Sequence, residues 1–143
     1  MHIRRYFLEY IRNNLKTLPS PSFSGVWIQR IGPSRNSFPC ITIYAESESV
    51  ENLTVHAQPR PQERILTIAV NIWIRGTPDD EKAESDMDSA AVQVEAAMLN
   101  NMGADDVILV GTDFNVDEIE PEIHLCKLTY QISYNTREFN PTI

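Results

Sequence analysis

The feature that most constrains this chain is a strict two-residue alternation in residues 63–75. Leu66, Ile68, Val70, Ile72 and Ile74 fall on one side, and Thr67, Asn71 and Arg75 on the other. Successive side chains of an extended strand point to opposite faces, so this period predicts a strand with one buried face and argues against a helix. Trp73 shares the second face and is placed to cover a helix or a partner. A second alternation lies in residues 123–134. There Cys126, Leu128, Tyr130, Ile132 and Tyr134 share one face, and Lys127, Thr129, Gln131 and Ser133 the other. Two half-buried strands of this length require a sheet and a second layer to cover it.

Helices are predicted to supply that layer. In residues 2–18, Ile3, Phe7, Tyr10, Ile11, Leu15 and Leu18 recur at three- and four-residue steps, with Arg5, Glu9, Arg12 and Lys16 opposite. That spacing draws an apolar stripe on a helix, which Pro19 and Pro21 then stop. Thr77-Pro78-Asp79-Asp80-Glu81 is a helix start: a cap, a proline suited to the first position, and acids that complement the dipole. The helix is expected to run to about Asn101 with Ala83, Met87, Ala90, Ala91, Val94 and Met98 inward, and Gly103 to end it. Shorter strands are expected at Val26–Ile31, Cys40–Tyr44 and Val107–Val110. Residues 46–62 read as a long loop or projecting hairpin, and 136–143 as a C-terminal tail. The order αβββαββ predicts an α+β fold: one domain over residues 1–143, with a mostly antiparallel sheet and both helices on one face.

The 143 residues suit one domain, and 42% hydrophobic content is ordinary globular usage. No apolar run approaches the roughly 18 residues of a membrane span, and Glu9 and Arg12 interrupt what would be a signal peptide's apolar core. A reducing cytoplasmic setting is therefore expected. The net charge of −8 is unevenly distributed: residues 1–35 carry six Lys/Arg against one Glu (+5), and the remainder six against nineteen acids (−13). A globally acidic chain is poorly suited to gripping nucleic acid, where basic surface supplies most of the affinity.

Catalytic signatures are missing from the sequence: there is no GxGxxG, P-loop, GxSxG or HExxH. Asp113, Asn115 and Asp117 match the first alternating ligands of an EF-hand loop. Glu118 then stands where glycine is needed, and His124 where the bidentate Glu belongs. His124 and Cys126 share one strand face and are within conceivable reach of Cys40, but no second ligand pair completes a zinc site beyond His56 in a loop. They read as two buried thiols and a strand-end histidine. Acidic clusters at Asp79/Asp80/Glu81 and Asp117/Glu118/Glu120/Glu122 read as a helix start and a polar connection. No catalytic, cofactor-binding or metal-binding residue is assigned.

Three stretches carry a resemblance to a known family. Phe38-Pro39-Cys40-Ile41-Thr42-Ile43-Tyr44, then Arg64–Ile74 running through Pro78-Asp79-Asp80 into a helix, and Leu128-Thr129-Tyr130-Gln131-Ile132-Ser133-Tyr134 occur in that order. Together with the N-terminal helix they resemble the tail terminator proteins of long-tailed bacteriophages, the lambda-type minor tail protein U family, over roughly residues 3–135. The likeness implies a non-enzymatic virion protein without cofactors. Six copies would close a ring on the head-proximal end of the tail tube, ending tube growth and offering the head-joining surface. The implied partners are the chain itself, the major tail tube protein and a head-completion protein. DNA would pass through without specific binding, no membrane is involved, and the protein would move from host cytoplasm to virion tail. The alternatives are another phage head–tail connector or tail-tube component, and a small metal-dependent enzyme using the carboxylates of 113–122.

Two site expectations follow from charge. Arg5, Arg12 and Lys16 are expected at a subunit interface, because a cyclic ring joins unlike patches and this basic face complements the acidic remainder. Glu46, Glu48 and Glu51 are expected in or near a channel, where negative charge would let DNA slide.

Overall fold

The computed structural model describes residues 1–18, 23–33, 38–54, 59–76, 81–99, 103–116 and 122–137. The chain forms a single α+β domain of helix α1 (Ile3–Leu15), strands β1 (Gly25–Ile28), β2 (Cys40–Asn52) and β3 (Pro61–Arg75), helix α2 (Glu81–Ala97), and strands β4 (Asp106–Val116) and β5 (Ile123–Arg137). One five-stranded sheet has the order β1-β2-β3-β5-β4, antiparallel at every junction except the parallel β1–β2 pair. Both helices cover the same face of this mostly antiparallel sheet.

The alternating strands lie at the centre. Leu66, Ile68, Val70, Ile72 and Ile74 of β3 pair in register with Ile132, Tyr130, Leu128, Cys126 and His124 of β5. Ile43 and Ile41 of β2 continue two of these rows, opposite Val70 and Ile72. Onto this face fold Phe7, Leu8, Ile11 and Leu15 of α1, and Ala83, Met87, Ala90 and Val94 of α2, all buried in one cluster. Their three- and four-residue spacing puts them on one side of each helix.

The opposite face is partly roofed by the chain after β1. The Arg30 guanidinium stacks on the Tyr44 ring at 5.2 Å. Gly32 passes so close to Trp73 that an added Cβ would sit 3.3 Å from the ring. Trp73 itself donates from Nε1 to Thr42 Oγ1 at 2.9 Å. The expectation that Trp73 covers something on the second face thus resolves to Thr42 and this passing segment.

Several boundaries differ from those read in the sequence. Residues 46–52 are strand rather than loop and pair with β3 as the two arms of an antiparallel hairpin, while 55–58 lie outside the described residues. β4 continues through Gly111 to Val116 rather than stopping at Val110. A register shift between Leu109 and Gly111 makes Val110 an extra residue and reverses the alternation beyond it. A matching shift at Glu46 of β2 lies at the same height of the sheet, since Ile68 pairs with both Ala45 and Tyr130. β5 extends to Arg137, shortening the expected tail, and residues 138–143 lie outside the described residues. The proposed cap Thr77 and Pro78 also lie outside them. Gly103 adopts φ +82, a left-handed conformation suited to glycine, on the way into β4.

Truncation at the centre should be costly and truncation at the rim should not. Leu66→Ala, at a fully buried position, is expected to destabilise by about 2–5 kcal/mol. Val92→Ala, at 66% exposure, should change stability by no more than about 0.5 kcal/mol. Urea denaturation of the two variants checks the contrast.

Candidate assembly surface

Arg5, Arg12 and Lys16 are brought together by the helical repeat on one flank of α1. With the backbone of β1 they line an open groove of about 450 Å³. Among the described residues β1 bonds to β2 along one side only, and its other side is the sheet edge beside this groove. Arg5 also holds Glu9 one turn on, at 3.0 Å, in an exposed pair that contributes little to stability. The three side chains therefore form a basic wall beside the edge strand β1.

The acidic trio is not brought together. The strand shift at Glu46 turns its carboxylate toward Lys127, with which it forms an ion pair. This contact raises the Lys127 pKa, against burial, which lowers it. Glu48 points the other way, into the helix face, where its side chain is 6% exposed. It accepts from Arg64 at 2.8 Å and from the Tyr134 hydroxyl. Arg64 donates further to Thr136 at 3.0 Å and Gln62 at 3.1 Å, and Gln62 to Asn52 at 3.0 Å. Glu51 is exposed on the open face of β2. As a correction to the loop reading, all three glutamates are strand residues, and Glu48 is committed to an internal network beneath the start of α1. Burial lowers the pKa of nearby His2, helped by Arg4.

The thiols and His124 do not converge. Cys126 pairs with Ile72 on the helix face, whereas Cys40 pairs with Trp73 and points to the other side. Cys40 and Cys126 stand one residue out of phase on opposite faces, in keeping with the reading of two separate buried thiols. Both thiols are buried, which pushes Cys40 up to about 12 and Cys126 up to about 11, the latter aided by Glu95 and Asp88. His124 is buried with Nδ1 3.6 Å from Glu84 Oε1. Asp113 and Asn115 lie on β4 opposite Lys127 and Leu125, in an extended strand rather than a ligand loop. Asp117, Glu118 and Glu120 lie outside the described residues, as does His56. Among the described residues, no three His, Cys, Asp or Glu side chains gather as a metal site would require. None of the described helices is long and apolar enough to cross a membrane.

Sequence reasoning missed the far edge of the sheet. Among the described residues β4 pairs with β5 alone, and it carries Ile108, Val110, Phe114 and Val116 between 45% and 63% exposed. Beyond the shift at Val110, Thr112, Phe114 and Val116 fall on the helix face, beside α2. A small depression there is lined by Glu84, Met87, Phe114, Val116 and His124. The signal was present as a second alternation, Thr112-Phe114-Val116, displaced by one residue from Val107-Leu109.

The fold is thus a five-stranded, mostly antiparallel sheet covered on one face by two helices, and among the described residues no strand pairs with the outer edge of β1 or of β4. A chain of the solved structure described as the virion of a native gene transfer agent (GTA) particle shares it, with a TM-score of 0.50 and 12% identity, covering 88% of this chain and 92% of that chain. At this identity the likeness concerns the fold. No family model matches the chain, and no curated protein matches it.

Two tyrosines separate the internal network from its surroundings. Tyr134→Phe removes a donor from the buried Glu48 carboxylate and should cost about 1.5–3 kcal/mol. Tyr130→Phe removes a buried hydroxyl with no hydrogen-bond partner among the described residues and should be neutral or mildly stabilising, as read by denaturant midpoints.

The raised pKa values of Cys40, Cys126, Tyr130 and Tyr134, all caused first by burial, predict an alkaline limit. The folded state keeps these protons where the unfolded chain releases them. Their contribution is complete below the thiols' ordinary 9.0 and declines as pH rises toward 11 and 12. Denaturation midpoints should be flat in these groups up to about pH 8 and fall above it.

Proposed function

We propose that this chain is a structural protein of a phage-like virion, and that it forms the ring closing the head-proximal end of a tail tube. In that role it ends tube polymerisation and offers the surface to which the head joins. The observation that carries the reading is the shared fold with a chain of a gene transfer agent virion, extending over 88% of this chain. The resemblance of its three strand stretches to tail terminators supports the finer assignment. So does the surface, whose distinguishing features are a charged helix flank and two open sheet edges, the features through which copies of one chain dock.

Within this reading the major tail tube protein and a head-completion protein are the neighbours on either side of the ring. Arg5, Arg12 and Lys16 belong to a contact between copies, and DNA passes through the centre unbound. The channel proposal now rests on Glu51 and on Glu46, whose charge Lys127 offsets. Glu48 has no part in it, being enclosed by Arg64 and Tyr134.

Electron microscopy of the concentrated protein, alone and with tail tubes, tests the assignment. A terminator yields closed rings of one copy number and caps tubes at one end. Long tubes built from this chain alone would instead make it a tube subunit and overturn the terminator role.

A further inference from the structure

We propose that copies of this chain join head to tail through both layers at once. In the sheet layer, β4 of one copy adds to the free edge of β1 in the next. In the helix layer, the acidic flank of α2 meets the basic flank of α1. The inference deepens the ring reading by naming the contact, and it rests on that reading only for closure of the ring.

The two edges match in direction, height and facing. β1 runs parallel to β2, and β4 runs opposite to β5, so β1 and β4 are antiparallel within one copy. A neighbour related by a rotation that continues the sheet presents β4 antiparallel to β1, the geometry of strand addition. Following paired residues across the sheet, Gly25 is level with Cys40, Trp73, Leu125 and Asn115, and Ile28 with Ile43, Val70, Leu128 and Thr112. At equal height, Gly25–Ile28 therefore meets Thr112–Asn115. In that register Val26 and Phe114 both face the helix layer. Phe114 is 63% exposed in the single copy and would be covered beneath the neighbouring α1.

The helix layer repeats the match in charge. On α2, Glu84, Asp88 and Glu95 project from the flank toward β4. Glu84 reaches His124 of β5, and Asp88 and Glu95 raise the Cys126 pKa. They are spaced four and seven residues apart. On α1, Arg5, Arg12 and Lys16 are spaced seven and four apart on the flank beside β1. Each row spans eleven residue steps, about 16 Å of helix. The helices run in opposite directions, because α1 starts near Glu48 and Arg64 at the hairpin end, and α2 descends from the end of β3 toward it. Antiparallel rows with reversed spacing place Arg5 against Glu95, Arg12 against Asp88 and Lys16 against Glu84. Neither β1 nor β4 carries lysine or proline; of the other devices that guard an edge, the bulge at Val110 lies outside the contact segment, and Asp113 lies within it on the face away from the helices.

Two experiments on the full chain test this. In the first, Arg12→Cys and Asp88→Cys variants are mixed under mild oxidation, with native Cys40 and Cys126 buried and unreactive. A disulfide-linked heterodimer is expected at least tenfold above an Arg12→Cys and Val92→Cys control. Equal yields would overturn the proposal. In the second, Arg5→Glu/Arg12→Glu and Asp88→Lys/Glu95→Lys variants are each expected to lose self-association while keeping the wild-type far-ultraviolet spectrum. Mixing them should restore it, because every junction in an alternating assembly regains opposite charges. A mixture no better than either variant alone would overturn the contact. Closed rings in micrographs without this heterodimer would sink the contact and leave the ring reading standing. The heterodimer within open filaments would support the contact and sink the terminator role.

Discussion

The structure depends on the register between β3 and β5. Along fifteen paired positions, Leu66, Ile68, Val70 and Ile72 meet Ile132, Tyr130, Leu128 and Cys126 on the buried face, and the helices pack on the surface these pairs make. A slip of one residue would turn Leu66, Ile68, Val70, Ile72 and Ile74 outward together, so register and core formation are one event. The single-residue insertions in β2 and β4, at one height on either side of this pair, are possible because the central ladder is uninterrupted. One insertion directs Glu46 to Lys127. The other carries Phe114 and Val116 onto the helix face of an open edge.

Burial decides which charged residues are available for docking. Glu48 and Arg64 lie where α1 meets the hairpin. There a carboxylate must be held by a guanidinium and a hydroxyl, because an unpaired charge at that depth would be strongly destabilising. Arg5, Arg12 and Lys16 sit on the flank that the sheet does not cover, and the acids of α2 on the flank toward the other edge. The helix layer is therefore polarised across the width of the molecule, basic at the β1 side and acidic at the β4 side. A net charge of −8 conceals that separation.

The parts legible in the sequence were those governed by one unbroken period. β3, β5 and the two helices each keep a single spacing, and the α+β class and shared helix face followed from them. The parts that were not legible break period or lack one. β4 changes phase at Val110, so its second half read as a polar connection and the exposed edge was lost. β2 leaves its apolar run after Ala45, and its outer half is held by pairing with β3 rather than by burial, which hides it from hydropathy. The basic trio was readable because helical spacing alone groups it. The glutamate trio was misgrouped because nearness along a strand that alternates and then shifts says nothing about a common face.

The central claim is that this fold acts through its open edges and polarised flanks, by docking with copies of itself. Hydrogen exchange of the amides in Gly25–Ile28 and Thr112–Asn115, compared between the single chain and the assembled form, reads this contact. The account predicts that amides of both strands gain protection on assembly while those of the β3–β5 pair stay as they were. Unchanged exchange along both edges in a fully assembled particle would contradict it.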